Sequence, residues 1–174
     1  MPSDVKVYFI FGEDKKPLRI FNTRLLRNIY RKILLWSRLP KFVYYDTIVS
    51  FMEGESLRYH SLITNRANKN VSWVHIDLKQ NHWSLNYFWD KEEELFAYKS
   101  MDSVIFVSEQ ARNAFHDLYP EVDNLKVILN LIDKDEIIIK ASSEIVSRPK
   151  GFLICGVGRL VEQKRFDRFI DVIK

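Results

Sequence analysis

Short apolar runs alternate with amphipathic stretches along this chain, and that alternation limits its possible folds more than any other feature. Residues 5–11 (VKVYFIF), 45–51 (YDTIVSF), 71–75 (VSWVH), 103–108 (SVIFVS), 126–129 (KVIL) and 152–155 (FLIC) read as strands. Several lack a polar alternation, as strands of a parallel sheet covered on both faces do. Helical stretches over residues 23–37, 56–66, 91–100 and 109–118 separate them. Strand and helix in turn predict an α/β chain built on a doubly wound parallel sheet. With 174 residues and 47% apolar content, the chain can bury one sizeable core.

The last of these units carries the clearest chemistry. Residues 151–174 (GFLICGVGRLVEQKRFDRFIDVIK) predict a strand, a turn with Gly156 and Gly158, and the start of a helix bearing Phe166, Phe169, Ile170 and Ile173. Arg159 and Lys164 stand five residues apart at that turn. Glycines let a ligand approach the backbone, a helix N-terminus favours anions, Arg binds phosphate oxygens bidentately and Lys adds a point charge. The pattern points to a diphosphate. A dinucleotide fingerprint fits less well, because its third small residue would fall at Val161. An ordinary strand-turn-helix with solvated cations is the plain alternative.

Gly158-Arg159-Leu160 followed by Lys164 and Asp167 resembles the "GRL…K…D" signature that opens the C-terminal domain of retaining family-four glycosyltransferases of the GT-B fold. Upstream, YDTIVSF, VSWVH, the strand-Val-Ser-Glu-helix pattern at Ser108 and Glu109, and Asn130-Leu131-Ile132-Asp133 fall in that family's order. The resemblance spans residues 42–174. It implies an acceptor-side N-terminal domain over residues 1–147, of Rossmann-like form and lacking its first strand. Residues 148–174 would be a linker and the first β-α unit of the nucleotide-sugar domain.

The implied activity moves a sugar from a UDP- or GDP-linked donor to a glycan or lipid-linked acceptor in cell-surface polysaccharide synthesis. The anomeric configuration would be retained, with no cofactor and no metal. Gly158, Arg159 and Lys164 would hold the donor diphosphate, Arg159 and Lys164 would stabilise its charge, and His75 would orient the donor sugar. Ser108 and Glu109 are weaker ligand-side candidates, since Ser108 also suits a helix N-cap. Leu131 stands where the family has glycine. The family's two downstream glutamates are not among these residues, so the chain alone is expected to be inactive. A sugar-nucleotide epimerase of the same fold has less support from the motifs.

Charge is unevenly spread. Residues 15–45 hold nine cations and no acid, although the net charge of the whole chain is only +4. Within the predicted helix, Leu25, Ile29, Ile33 and Trp36 form one stripe and Arg24, Arg27, Arg31 and Arg38 another. The stripe can face a core beneath a solvated cationic face, or the arginines can face anionic lipid headgroups. The second arrangement would make a non-catalytic, membrane-peripheral binding module. A nucleic-acid groove fits poorly, because the cations lie on one helix and Tyr30 and Trp36 sit among its apolar residues.

Other chemistries find less footing. Glu53 and Glu55, two apart, point differently on a helix or a strand, and Glu55 suits a first helical turn. His75, Asp77 and His82 lack the spacing of a helix-face metal pair. Ser108 lacks the flanking glycines of a nucleophile elbow. Residues 79–90, with His82, Trp83, Tyr87 and Trp89, form a candidate acceptor loop. No apolar run is long enough to span a bilayer and the N-terminus has no signal-peptide order, so the expected address is the cytoplasm, with peripheral attachment to the membrane's cytoplasmic face.

Overall fold

The computed structural model describes residues 5–6, 24–40, 43–143 and 150–173. Most of the apolar run at 5–11, residue 23 at the start of the expected first helix and residues 148–149 of the expected linker lie outside them. The chain divides into two compact units, Met1–Leu131 and Ile132–Lys174.

The first unit is an α/β layer structure. Strands β1 (Tyr45–Ser50), β2 (Ala67–Val74), β3 (Ser103–Phe106) and β4 (Leu125–Val127) form one sheet in the order 1-2-3-4. All three pairings are parallel, with Ser50 opposite Ser72, Val74 opposite Phe106 and Phe106 opposite Val127. The order shows no reversal among the described strands. Connections of one hand between consecutive neighbours bring every crossover to the same face. Accordingly α2 (Glu55–His60), α3 (Lys91–Lys99) and α4 (Glu109–Leu118) share a core with Val74, Val104 and Phe106. Phe115 is its centre, with ring centroids 4.7 Å from Tyr98, 5.0 Å from Phe106 and 5.1 Å from Tyr119. Val49, on the other face of the sheet, is half exposed.

Polar groups cross this core under strict pairing. His60 is buried between Ser50, 3.1 Å from Nδ1, and Asn70, whose Oδ1 is 3.0 Å from Nε2. The amide oxygen only accepts, so Nε2 carries the proton and Nδ1 takes the Ser50 hydroxyl. Burial lowers the His60 pKa from its usual value, against the opposing Asn70 hydrogen bond. A depressed folded-state pKa means that the folded protein binds fewer protons than the unfolded chain. The His60 contribution is therefore complete above the unfolded value of about 6.5 and is lost as pH falls through the folded one. Urea unfolding of the wild type should show stability dropping below that pH, and His60→Gln should flatten the drop. An equal slope in both proteins would remove His60 as its source.

Helix α1 (Arg24–Arg38) reverses one sequence expectation. Leu35 is buried, Asn28 is hydrogen-bonded to Arg58 of α2 and to Glu93 of α3, and Arg31 donates to the Tyr59 hydroxyl. The side carrying Asn28, Arg31 and Leu35 thus faces the protein. Leu25, Ile29, Ile33 and Trp36, the stripe read as core-facing, are exposed. The physical reason is what lies beneath: α2 and α3 offer Glu55, Tyr59 and Glu93, which Arg31 and Asn28 complement and an apolar stripe does not. Burial, reinforced by Glu55 and opposed by Arg31, pushes the Tyr59 phenol up to about 12.

In the second unit α5 covers Lys134–Ser143 and α6 covers Phe166–Ile173, the latter where a helix was expected. The expected strand at 152–155 is not formed; those residues pair with no strand and are exposed. A strand exists through its ladder, and no partner strand is present in this unit among the described residues.

Candidate functional site

The site is assembled where β1 and β2 end. After Ser50 the chain runs through Phe51, Met52 and Glu53 into Gly54, whose φ of 75° admits glycine and strains other residues. A Cβ there would meet the Trp83 ring at 3.1 Å and Tyr87 at 3.2 Å. This sharp turn folds the Glu53 side chain inward, where it is buried. One carboxylate oxygen accepts the His75 backbone N–H at 3.0 Å and the other the Trp83 indole N–H at 3.2 Å. Glu53 thus satisfies the amide that follows β2 and ties the 83–87 segment to it.

The His75 imidazole is fixed as well. Its Nε2 lies 2.9 Å from the Phe51 carbonyl, and the Phe51 ring meets it edge-on at 4.9 Å between centroids. Trp73 adds a third ring, 5.3 Å from Phe51. A carbonyl only accepts, so Nε2–H donates and Nδ1 keeps a lone pair. The arrangement is an oriented acceptor at the carboxyl end of a parallel sheet, the end where open α/β folds bind ligands.

Ser108, after β3, accepts the Ala111 N–H at 3.1 Å as the N-cap of α4, and Glu109 pairs with Arg112 at 2.9 Å on the same helix. Asp77 and His82 are drawn into different networks. Asp77 caps its own turn through the backbone N–H groups of Lys79 and Gln80. The imidazole of His82 reaches the buried Glu94 at 2.6 Å. Among the described residues no cluster of three metal-ligating side chains occurs.

The middle of the aromatic loop packs down while Trp89 stays half exposed: residues 83–87 form a 3-10 turn, Ser84 is buried and Trp83 and Tyr87 meet edge-on. Sequence reasoning missed Glu53 as the residue that holds this end together. Its signal was local: an acid directly before a glycine at the end of an apolar strand.

His75 belongs to the first unit, and Gly158, Arg159 and Lys164 to the second. There the turn is packed by the helix that follows it. A Cβ on Gly156 would lie 3.1 Å from Phe166 and 3.3 Å from Phe169; one on Gly158 would meet Phe166 at 3.3 Å and the Lys164 stem at 3.7 Å. The glycines therefore seat two phenylalanines, and the Lys164 stem runs beside Gly158. Val161 N–H donates to the Arg159 carbonyl and Lys164 N–H to that of Val161, at 2.9 Å each, so the segment winds tightly between the two cations. Arg159 and Lys164 are both exposed.

Of the cations considered for membrane contact, Arg31 is turned onto Tyr59, Arg38 is exposed, and Arg24 and Arg27 lie on α1. No described helix is long and apolar enough to cross a membrane. Comparison with protein-family models, with curated proteins and with solved structures gives no match for this chain.

Proposed function

We propose that the chain is part of a retaining GT-B glycosyltransferase, with the parallel sheet belonging to a doubly wound acceptor-side domain and residues 148–174 beginning the donor domain. The observation that carries this reading is His75: an imidazole locked through Nε2, presenting Nδ1 as an acceptor at the carboxyl end of β2. Nδ1 would take a hydroxyl of the donor sugar. Gly158 would let a UDP- or GDP-linked diphosphate approach the turn, with Arg159 and Lys164 as its counter-charges.

In the transfer, the acceptor hydroxyl oxygen of a glycan or lipid-linked sugar bonds to the anomeric carbon. The bond from that carbon to the diphosphate oxygen breaks, its electron pair leaves with the diphosphate, and the hydroxyl proton passes to the same leaving group. Two cations at the diphosphate stabilise charge that grows in the transition state, so no metal is required.

The test is calorimetric titration of the purified chain with UDP-glucose, GDP-mannose, UDP and GDP. One donor series should bind, and the double change Arg159→Ala and Lys164→Ala should weaken it at least about tenfold, as expected for two charge-assisted contacts. His75→Ala should weaken the nucleotide sugar and leave the free nucleotide unchanged. Absence of binding by all four ligands, or equal binding by the double variant, would overturn the reading.

A further inference from the structure

We propose that the outward apolar stripe of α1 seats the first unit on an anionic bilayer surface, with the helix lying in the plane of the interface. Leu25, Ile33 and Trp36 are 69%, 61% and 68% exposed, and Phe96 of α3 is 69% exposed. Ile33, Trp36 and Phe96 line one open cavity of ≈ 930 Å³, bounded by Lys32 and by Leu62 and Ile63 after α2. Ile33, Trp36, Phe96 and the groove form one apolar surface of the kind that marks an interaction site, and Leu25 and Ile29 extend the exposed stripe along α1.

Charge decides what covers it. Helix α1 carries no acid, and exposed Lys32 and Arg38 are on the same helix as the stripe. A second copy docked through α1 would bring two such segments together, and like charges across an interface repel. An anionic bilayer supplies hydrocarbon for the stripe and negative headgroups for the cations.

The helix has 15 residues and is about 22 Å long, too short to span hydrocarbon and suited to lying along it. Trp36 suits the headgroup boundary. Contact led by the apolar stripe, with Arg31 turned inward, differs from contact led by an arginine face in one measurable respect: it survives salt. The proposal stands apart from the transferase reading and needs no donor or acceptor.

The experiment is co-sedimentation of the full 174-residue chain with vesicles of phosphatidylcholine alone and of an equimolar phosphatidylcholine–phosphatidylglycerol mixture. Binding should favour the anionic vesicles and persist in part at high salt. The double change Ile33→Gln and Trp36→Gln removes two exposed side chains, so the fold should survive, as circular dichroism would confirm. It should lower partitioning at least about tenfold. Arg38→Gln should lower it about fivefold. No binding to anionic vesicles, equal binding by the double variant, or complete loss of binding at high salt would overturn the proposal. A dimer in solution that the double variant dissolves would overturn it in favour of a second copy.

Discussion

Arg58→Met is expected to destabilise the first unit by about 3–5 kcal/mol, the usual consequence of removing one partner from a buried ion pair. Arg58 Nη2 lies 2.7 Å from Glu93 Oε1, with side chains only 4% and 6% exposed. The pair joins α2 to α3, and Asn28 of α1 contacts both partners. The other Glu93 oxygen accepts the Trp89 backbone N–H at 2.7 Å. Methionine would keep part of the stem packing against Phe88 but leave the buried carboxylate without its counter-charge. The pair itself need not be stabilising, because desolvating two charges offsets much of their attraction. Adding Glu93→Leu to Arg58→Met should therefore restore more than half of the loss. Urea unfolding of wild type, both single variants and the double variant gives the coupling energy. A single-variant loss below about 1 kcal/mol, or strictly additive losses, would show that the pair is not the joint between these helices.

Most strands and helices of the first unit were legible because each is a short apolar run or an amphipathic turn of chain with its own stop signal; α2, which ends at His60 and not at residue 66, and the polar start of β2 at Ala67 were not, because the pairing of β2 with β1 extends that strand beyond its apolar part. The Ser108 cap and the α4 stop before Pro120 follow from local chemistry alone. Where β1 and β2 end, the position of His75 was legible for the same reason. Its fixation by Glu53 was not, since that bond joins residues 22 apart in sequence and depends on Gly54 turning the loop back. The orientation of α1 was illegible in a stronger sense. Periodicity gives two faces but not which one faces inward, and acids on α2 and α3 decided it. The strand at 152–155 failed for a third reason: propensity proposes a strand, but only a neighbouring strand completes it.

The run Glu92-Glu93-Glu94 shows how far one local rule reaches, and it leads to the second large effect. All three suit the positive end of α3, yet Glu94 is fully buried and Glu93 nearly so. Glu94 accepts from Ser84 Oγ and Tyr119 OH at 2.6 Å each and lies 2.6 Å from His82 Nε2. One carboxylate thus binds the 83–87 turn, which carries the Trp83 contact to Glu53, to the residue that ends α4. Glu94→Ala would strip these donors of their acceptor and open a cavity, at an expected cost of about 3–5 kcal/mol. Tyr119→Phe removes one donor and leaves Glu94 two, so about 1 kcal/mol is expected. The two should separate again in alkali. Burial first, then the bond to Glu94, raises the Tyr119 phenol far above its usual range. A raised folded-state value means stability that is complete below the unfolded pKa of about 10 and is lost as pH rises beyond it. The wild type should lose stability above that pH, and Tyr119→Phe should lose less. If Glu94→Ala unfolds within about 1 kcal/mol of the wild type, the carboxylate is not what fastens the aromatic loop, and the Trp83 bond to Glu53 holds it instead.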